Sequence, residues 1–217
     1  MPSTDEFGRP AETIAVARRY LRYERPANAL VVTLAVATFL GAYLTTSLLP
    51  AVVVAGLLAL VARAPVLESH GTMRLTSDAP PSAVVDEFAG STPPVLAFQW
   101  GVADAVRTDE AGRVEYPISY LFGLRSAVAT VDRETTVTDD GHRVELTVEV
   151  DGSPWSTYTA TITDAEDGGS RIDVEYESNR RFGLRRVPQQ RLAARFRDEA
   201  LETQGYAVVS RDSHFGV

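Results

Sequence analysis

The sequence predicts an α+β protein: an N-terminal transmembrane helical hairpin, then a domain made of an antiparallel sheet and a long C-terminal helix. Three observations carry that expectation. Residues 26–62 contain no charged side chain across 37 positions. From His70 onward apolar residues alternate with polar ones, the period of half-buried strands. Residues 187–204 return to helical spacing, with Gly205 just past the end.

Composition narrows the chemistry before any motif is read. The 217 residues include no Cys, which removes disulfides, zinc–cysteine centres and thiol nucleophiles. All 21 basic residues are Arg, so Schiff-base and P-loop lysine chemistry is absent too. The net charge of −8 is distributed in zones. Residues 1–27 carry five Arg against four acids, 101–178 carry six Arg against seventeen acids, and 179–197 carry seven Arg and no acid. An acidic, Lys-free balance suits a halophilic proteome, where surface carboxylates hold water at high salt. On that reading the domain at 66–217 loses structure in low salt, which circular dichroism would show.

Taken in order, residues 1–26 read as a cytoplasmic amphipathic lead-in. Ile14, Ala17, Tyr20 and Leu21 form an apolar face, Arg lies opposite, and Pro26 stops the helix. Residues 27–64 are too long for one span, since the 36 residues at 27–62 would run about 54 Å as a helix against a hydrocarbon core of about 30 Å. Two spans with a turn near Thr45, Thr46 and Ser47 fit that length. Small residues at four-residue spacing (Ala29, Thr33, Ala37 and Gly41, then Ala51, Ala55 and Ala59) would let the two helices approach closely. Arg18, Arg19, Arg22 and Arg25 before the first span and Arg63 after the second place both termini in the cytoplasm. The expected location is therefore the cell membrane, multi-pass, with two spans.

The rest, 66–217, begins with a strand at 70–76 and a helix whose first turn holds Pro80 and Pro81. Residues 95–106 are apolar and aromatic and read as a strand, followed by strands at 113–121, 127–138, 143–150, 155–163 and 171–177. Pro117 suggests an edge or a bulge, and Asp151-Gly152 is a hairpin signal. The helix at 187–204 and a last strand at 206–211 close the chain.

The opening GTMRLTSDAPPSAVVDEF, the closing RRVPQQRLAARFRDEALETQGY and the order of elements between them resemble the START-like (SRPBCC) superfamily, which includes polyketide cyclases and birch-pollen-allergen-like proteins. The resemblance covers the last two-thirds of the chain. It implies a helix-grip domain, in which the sheet curls around the long helix and leaves a cavity for hydrophobic ligands. Phe98, Trp100, Tyr116, Tyr120, Tyr158, Tyr176, Leu192 and Phe196 would then line the pocket, with filled core as the competing reading.

Other features are weaker. His70, His142 and His214 lack metal-ligand spacing, and no metal or cofactor is expected. Asp132 and Glu134 share a strand face, where solvated carboxylates are the default. No nucleophile elbow, phosphate loop or zinc-helix motif occurs, so catalysis is less expected than binding. Arg185 and Arg186, with Arg18, Arg19, Arg22 and Arg25, are candidates for contact with lipid headgroups. Nucleic acid fits poorly with a domain carrying 24 acids against 15 Arg over 70–217. The favoured function is a membrane-anchored module that binds an apolar small molecule or lipid. A cyclase- or hydratase-like enzyme and a non-catalytic interaction module remain open.

Overall fold

The computed structural model describes the backbone of residues 10–65, 67–120, 124–166, 168–181, 183 and 187–216. Side chains at 24–31, 63, 120, 187–192 and 215–216 lie outside the described set. Two helices come first, α1 (Ala11–Thr45) and α2 (Leu48–Arg63). Strand β1 (Glu68–Ser77), the short helix α3 (Pro81–Phe88), a 3₁₀ turn (Pro94–Leu96) and a single helical turn, α4 (Ala97–Trp100), follow. Then come β2 (Arg107–Thr108), β3 (Val114–Tyr120), β4 (Arg125–Thr138), β5 (Gly141–Val150), β6 (Ser153–Asp164) and β7 (Ser170–Ser178). Helix α5 (Val187–Glu202) and β8 (Ala207–Gly216) end the chain.

All eight strands form one antiparallel sheet in the order β2-β3-β4-β5-β6-β7-β1-β8. Hairpins account for most of that order. The β5–β6 turn places Asp151 at φ 51° and Gly152 at φ 73°, the paired positive angles that an Asp-Gly hairpin turn requires. One face of the meander is dry. Val144, Leu146 and Val148 on β5, Ala160 and Ile162 on β6, and Ile172 and Val174 on β7 are buried. The intervening positions carry charges or threonines, so a period of two sorts each strand into core and solvent. Asp132 and Glu134 both fall on the exposed side of β4. Helix α5 adds Ala193, Phe196, Ala200 and Leu201 to the same core.

Residues 95–106 do not form the expected strand. Pro93 and Pro94 open a 3₁₀ turn that runs into α4, and the buried Trp100 indole donates to the Pro93 carbonyl at 2.8 Å. Proline fixes φ in the turn range and supplies no N–H to a sheet ladder, so the segment curls instead of pairing. Pro117 sits near the sheet edge as read. Its neighbour β2 pairs only with Val114 and Glu115, and the Pro117 carbonyl is met by the backbone N–H of Asp104 at 2.8 Å.

The first two helices overturn the membrane reading. Among the described residues no helix is long and apolar enough to cross a membrane. Helix α2 has 16 residues, about 24 Å at 1.5 Å each, short of a hydrocarbon core of about 30 Å. Helix α1 does not stop at Pro26 but continues to Thr45, and its start belongs to the domain. Thr13, Val16, Ala17 and Tyr20 recur at helical spacing and are buried, with Thr13 Oγ1 2.9 Å from the Thr203 hydroxyl at the end of α5. Ala17 meets Gly101 so closely that a methyl group on that glycine would sit 3.0 Å from the Ala17 methyl. The expected lead-in in the headgroup layer, the two-span topology and the multi-pass membrane location are therefore corrected. The turn falls at Thr46 and Ser47. On either side of it lie exposed apolar side chains, such as Leu44 before it and Leu49 and Leu60 after it.

Two buried tyrosines give the fold an alkaline signature. Burial, partly opposed by Arg133, pushes the Tyr116 phenol well above its ordinary value near 10. Burial and the hydrogen-bonded Glu87 carboxylate do the same for Tyr206. Above about pH 10 the unfolded chain loses these protons while the folded chain keeps them. Stability present below pH 10 is thus lost as pH rises, by at most about 1.4 kcal/mol per pH unit for each group. Urea titrations from pH 8.5 to 11 should show that slope, and the Tyr116→Phe, Tyr206→Phe double variant should flatten it. An unchanged slope in the variant would mean that neither phenol is protected.

Candidate functional site: the space between sheet and C-terminal helix

Six elements converge on one small cavity. Met73 enters from β1, Phe98 from α4, Tyr158 from β6, Tyr176 from β7, Leu201 and Arg197 from α5, and Arg211 from β8, with Pro94, Val95 and Ala97 closing one wall. The enclosed free space is about 20 Å³, close to what one water needs. The two tyrosine rings stack at 6.2 Å between centroids, and the Tyr176 hydroxyl lies 3.1 Å from Ser213 Oγ. Gly71 permits that placement, because a Cβ there would come within 2.9 Å of the Tyr176 hydroxyl.

The polar side of the cavity is positive. The Arg211 side chain is 13% exposed, with Nη2 2.5 Å from Asp198 Oδ1 and 3.6 Å from Met73 Sδ. The Asp198 contact is an ion pair without hydrogen-bond alignment. Arg211 Nε and Asp198 Oδ1 both lack a hydrogen-bond partner among the described residues. Burial lowers the affinity of Arg211 for its proton, partly offset by the Asp198 charge and reinforced by Arg197. Burial likewise raises the Asp198 carboxyl, with Arg211 and Arg197 pulling it back. No His, Asp or Glu lines this cavity among the described residues. It offers apolar surface, two phenols and two guanidiniums, a set suited to holding a molecule more than to moving protons.

The expected pocket residues divide. Phe98, Tyr158 and Tyr176 line the cavity. Trp100 and Tyr116 are fully buried in the core instead, Tyr116 donating to the Ser91 carbonyl at 2.8 Å. Phe196 faces away from the cavity, under Tyr20 and Tyr23 of α1 at ring distances of 5.9 and 5.8 Å. The side chains of Tyr120 and Leu192 lie outside the described residues. Met73, Leu201, Arg197 and Arg211 were not anticipated as cavity residues. No local signal marks them, since Arg211 lies between Ser210 and Asp212 on the last strand.

The arginines proposed for lipid headgroups divide as well. Arg19 pairs with Glu199 at 2.8 Å, joining α1 to α5, while Arg18 and Arg22 are exposed. The Arg25 side chain and residues Arg185 and Arg186 lie outside the described set. Elsewhere in the basic stretch Arg181 pairs with Glu68 at 2.7 Å and Arg180 covers the Trp155 ring at 4.4 Å. The structure also brings together two of the three histidines. His70 and His214 stack at 5.9 Å across β1 and β8, beside an open groove of about 520 Å³ lined by Glu175, Glu177 and Asp212. No set of three potential ligands able to hold a metal ion occurs among the described residues.

Several solved structures are similar to the chain. A conserved protein from Geobacillus kaustophilus is 11% identical, covering 68% of this chain and 99% of its own, with a TM-score of 0.43. A START superfamily protein from Mycobacterium smegmatis is 8% identical, covering 64% and 97%, with a TM-score of 0.41. A protein from Chromobacterium violaceum is 15% identical, covering 63% and 96%, with a TM-score of 0.42. No protein-family model and no curated protein matches the chain.

Proposed function

We propose that the sheet and C-terminal helix form a START-like ligand-binding domain, and that the ligand is an apolar small molecule held between them. The supporting observation is the cavity under α5, walled by Met73, Phe98, Tyr158, Tyr176 and Leu201 from separate elements. As it stands the space admits one water, so binding requires the wall to yield. Met73 and Phe98 are the yielding parts. Methionine is unbranched and adaptable, and Phe98, partly buried, sits on the one-turn helix α4. Binding is favoured over catalysis because the cavity is lined, among the described residues, by apolar side chains, two phenols and two guanidiniums, with no carboxylate or imidazole to serve as general acid or base.

Native mass spectrometry on the full chain purified at high salt tests the reading, with octan-1-ol as an added probe. A retained small molecule, or saturable uptake of octanol, is expected for the unmodified chain and not for Phe98→Glu, whose carboxylate would lie in the apolar wall. An empty chain that also takes up no octanol would overturn the proposal.

A further inference from the structure

We infer that the ligand is an amphipathic anion, whose oxyanion head group is received by Arg211 and Arg197 and whose apolar body lies along Met73, Phe98 and Leu201. This deepens the binding reading above and rests on it. The first ground is charge. Two guanidiniums border the cavity, one carboxylate answers them, and Arg197 forms no ion pair among the described residues. A half-buried +1 beside an apolar space is costly to leave unanswered, and an anion answers it.

The second ground is an unmet donor. Arg211 Nε is buried without a hydrogen-bond partner, although the residue already has Asp198 and Met73 Sδ at Nη2. Buried polar atoms are satisfied in the great majority of cases, and one left open at a cavity wall marks where an acceptor belongs. A neutral core would not need this arginine. Leucine or methionine would fill the same volume with no desolvation penalty, and Asp198 could then be any small residue. The pairing is instead lopsided: Asp198 keeps Arg211 in place, and its weak alignment leaves the guanidinium free to hydrogen-bond elsewhere. Planar guanidinium suits a carboxylate or a phosphate monoester, the two sources of an oxyanion considered.

The test compares octanoate, octyl phosphate, octan-1-ol and octylammonium by isothermal titration against the full chain at pH 7.5. At least one of the two anions is expected to bind about tenfold or more tightly than octanol, with octylammonium the weakest. Whichever anion binds more tightly identifies the head group. Arg211→Gln should remove that preference while leaving octanol affinity within about twofold, and Arg197→Gln should reduce it. Arg211→Lys, which keeps the charge, guards against a merely unfolded variant and should retain part of the preference. Octanol binding as tightly as both anions would overturn the head-group inference and leave the apolar-ligand reading standing. A preference unchanged in both glutamine variants would overturn it equally. Binding of none of the four probes would overturn both.

Discussion

A chain shortened to residues 66–217 is expected to lose most of its stability and to show a broad or absent thermal transition. By sequence this is the natural place to cut, because the sheet and its long helix all lie beyond it. The structure puts Ile14, Val16, Ala17 and Tyr20 of α1 in the same core as α5 and α4, between 0 and 9% exposed. Tyr20 alone touches Phe98 at 4.9 Å and Phe196 at 5.9 Å between ring centroids. Burying an Ile, a Val and a Tyr side chain contributes roughly 1.5–3 kcal/mol each, so the loss is on the order of 5–9 kcal/mol. A typical domain has about 5–15 kcal/mol in total. A chain beginning at residue 10 should melt cooperatively, and the one beginning at 66 should bind a hydrophobic dye through its uncovered α5 face. Equal melting temperatures by calorimetry would show that α1 is an appendage and not part of the domain.

That helix also shows what could be read from the sequence and what could not. The strands from β4 to β7 were legible because alternation depends only on local order, and the Asp151-Gly152 turn because its backbone angles exclude most other residues. The stripe at Thr13, Val16, Ala17 and Tyr20 was just as regular, but its partner α5 lies more than 170 residues away. A neighbouring run without charge offered a simpler explanation, a membrane hairpin, and drew the stripe into it. Residues 95–106 failed for a different reason. Short apolar runs look alike in strands and helical turns, and the Trp100 bond to the Pro93 carbonyl that decides the matter is a tertiary contact. Of the expected aromatics, Phe98, Tyr158 and Tyr176 line the cavity while Trp100, Tyr116 and Phe196 lie elsewhere in the core, because spacing cannot tell a cavity wall from the core behind it. Arg211 went unnoticed because a charge on a final strand ordinarily faces water. Its burial is conferred by α5 and by Asp198, which precede it by a turn and a loop. His70 and His214 are likewise neighbours only through the β1–β8 pairing.

Trp100 separates core from cavity most sharply, and its removal should cost more than any other single truncation here. The indole is fully buried, and its N–H holds the Pro93 carbonyl at 2.8 Å, so it both fills the core and fastens the turn that carries Phe98 to the cavity. Trp100→Ala is expected to destabilise the chain by about 3–5 kcal/mol, the range for a large buried aromatic whose cavity cannot fully collapse. Trp100→Phe keeps most of the volume but removes one of two donors to the Pro93 carbonyl, the Leu96 N–H remaining at 3.0 Å, at about 0.5–1.5 kcal/mol. Denaturant titration reads both, and the comparison with ligand uptake is the decisive part. Because Trp100 does not line the cavity, the folded Trp100→Phe variant should take up octanol with nearly normal affinity, whereas Phe98→Glu should lose it with a smaller cost in stability. If the phenylalanine variant instead loses uptake while remaining as stable as the parent, the cavity extends to Trp100. The wall that yields to ligand would then be the α4 turn as a whole.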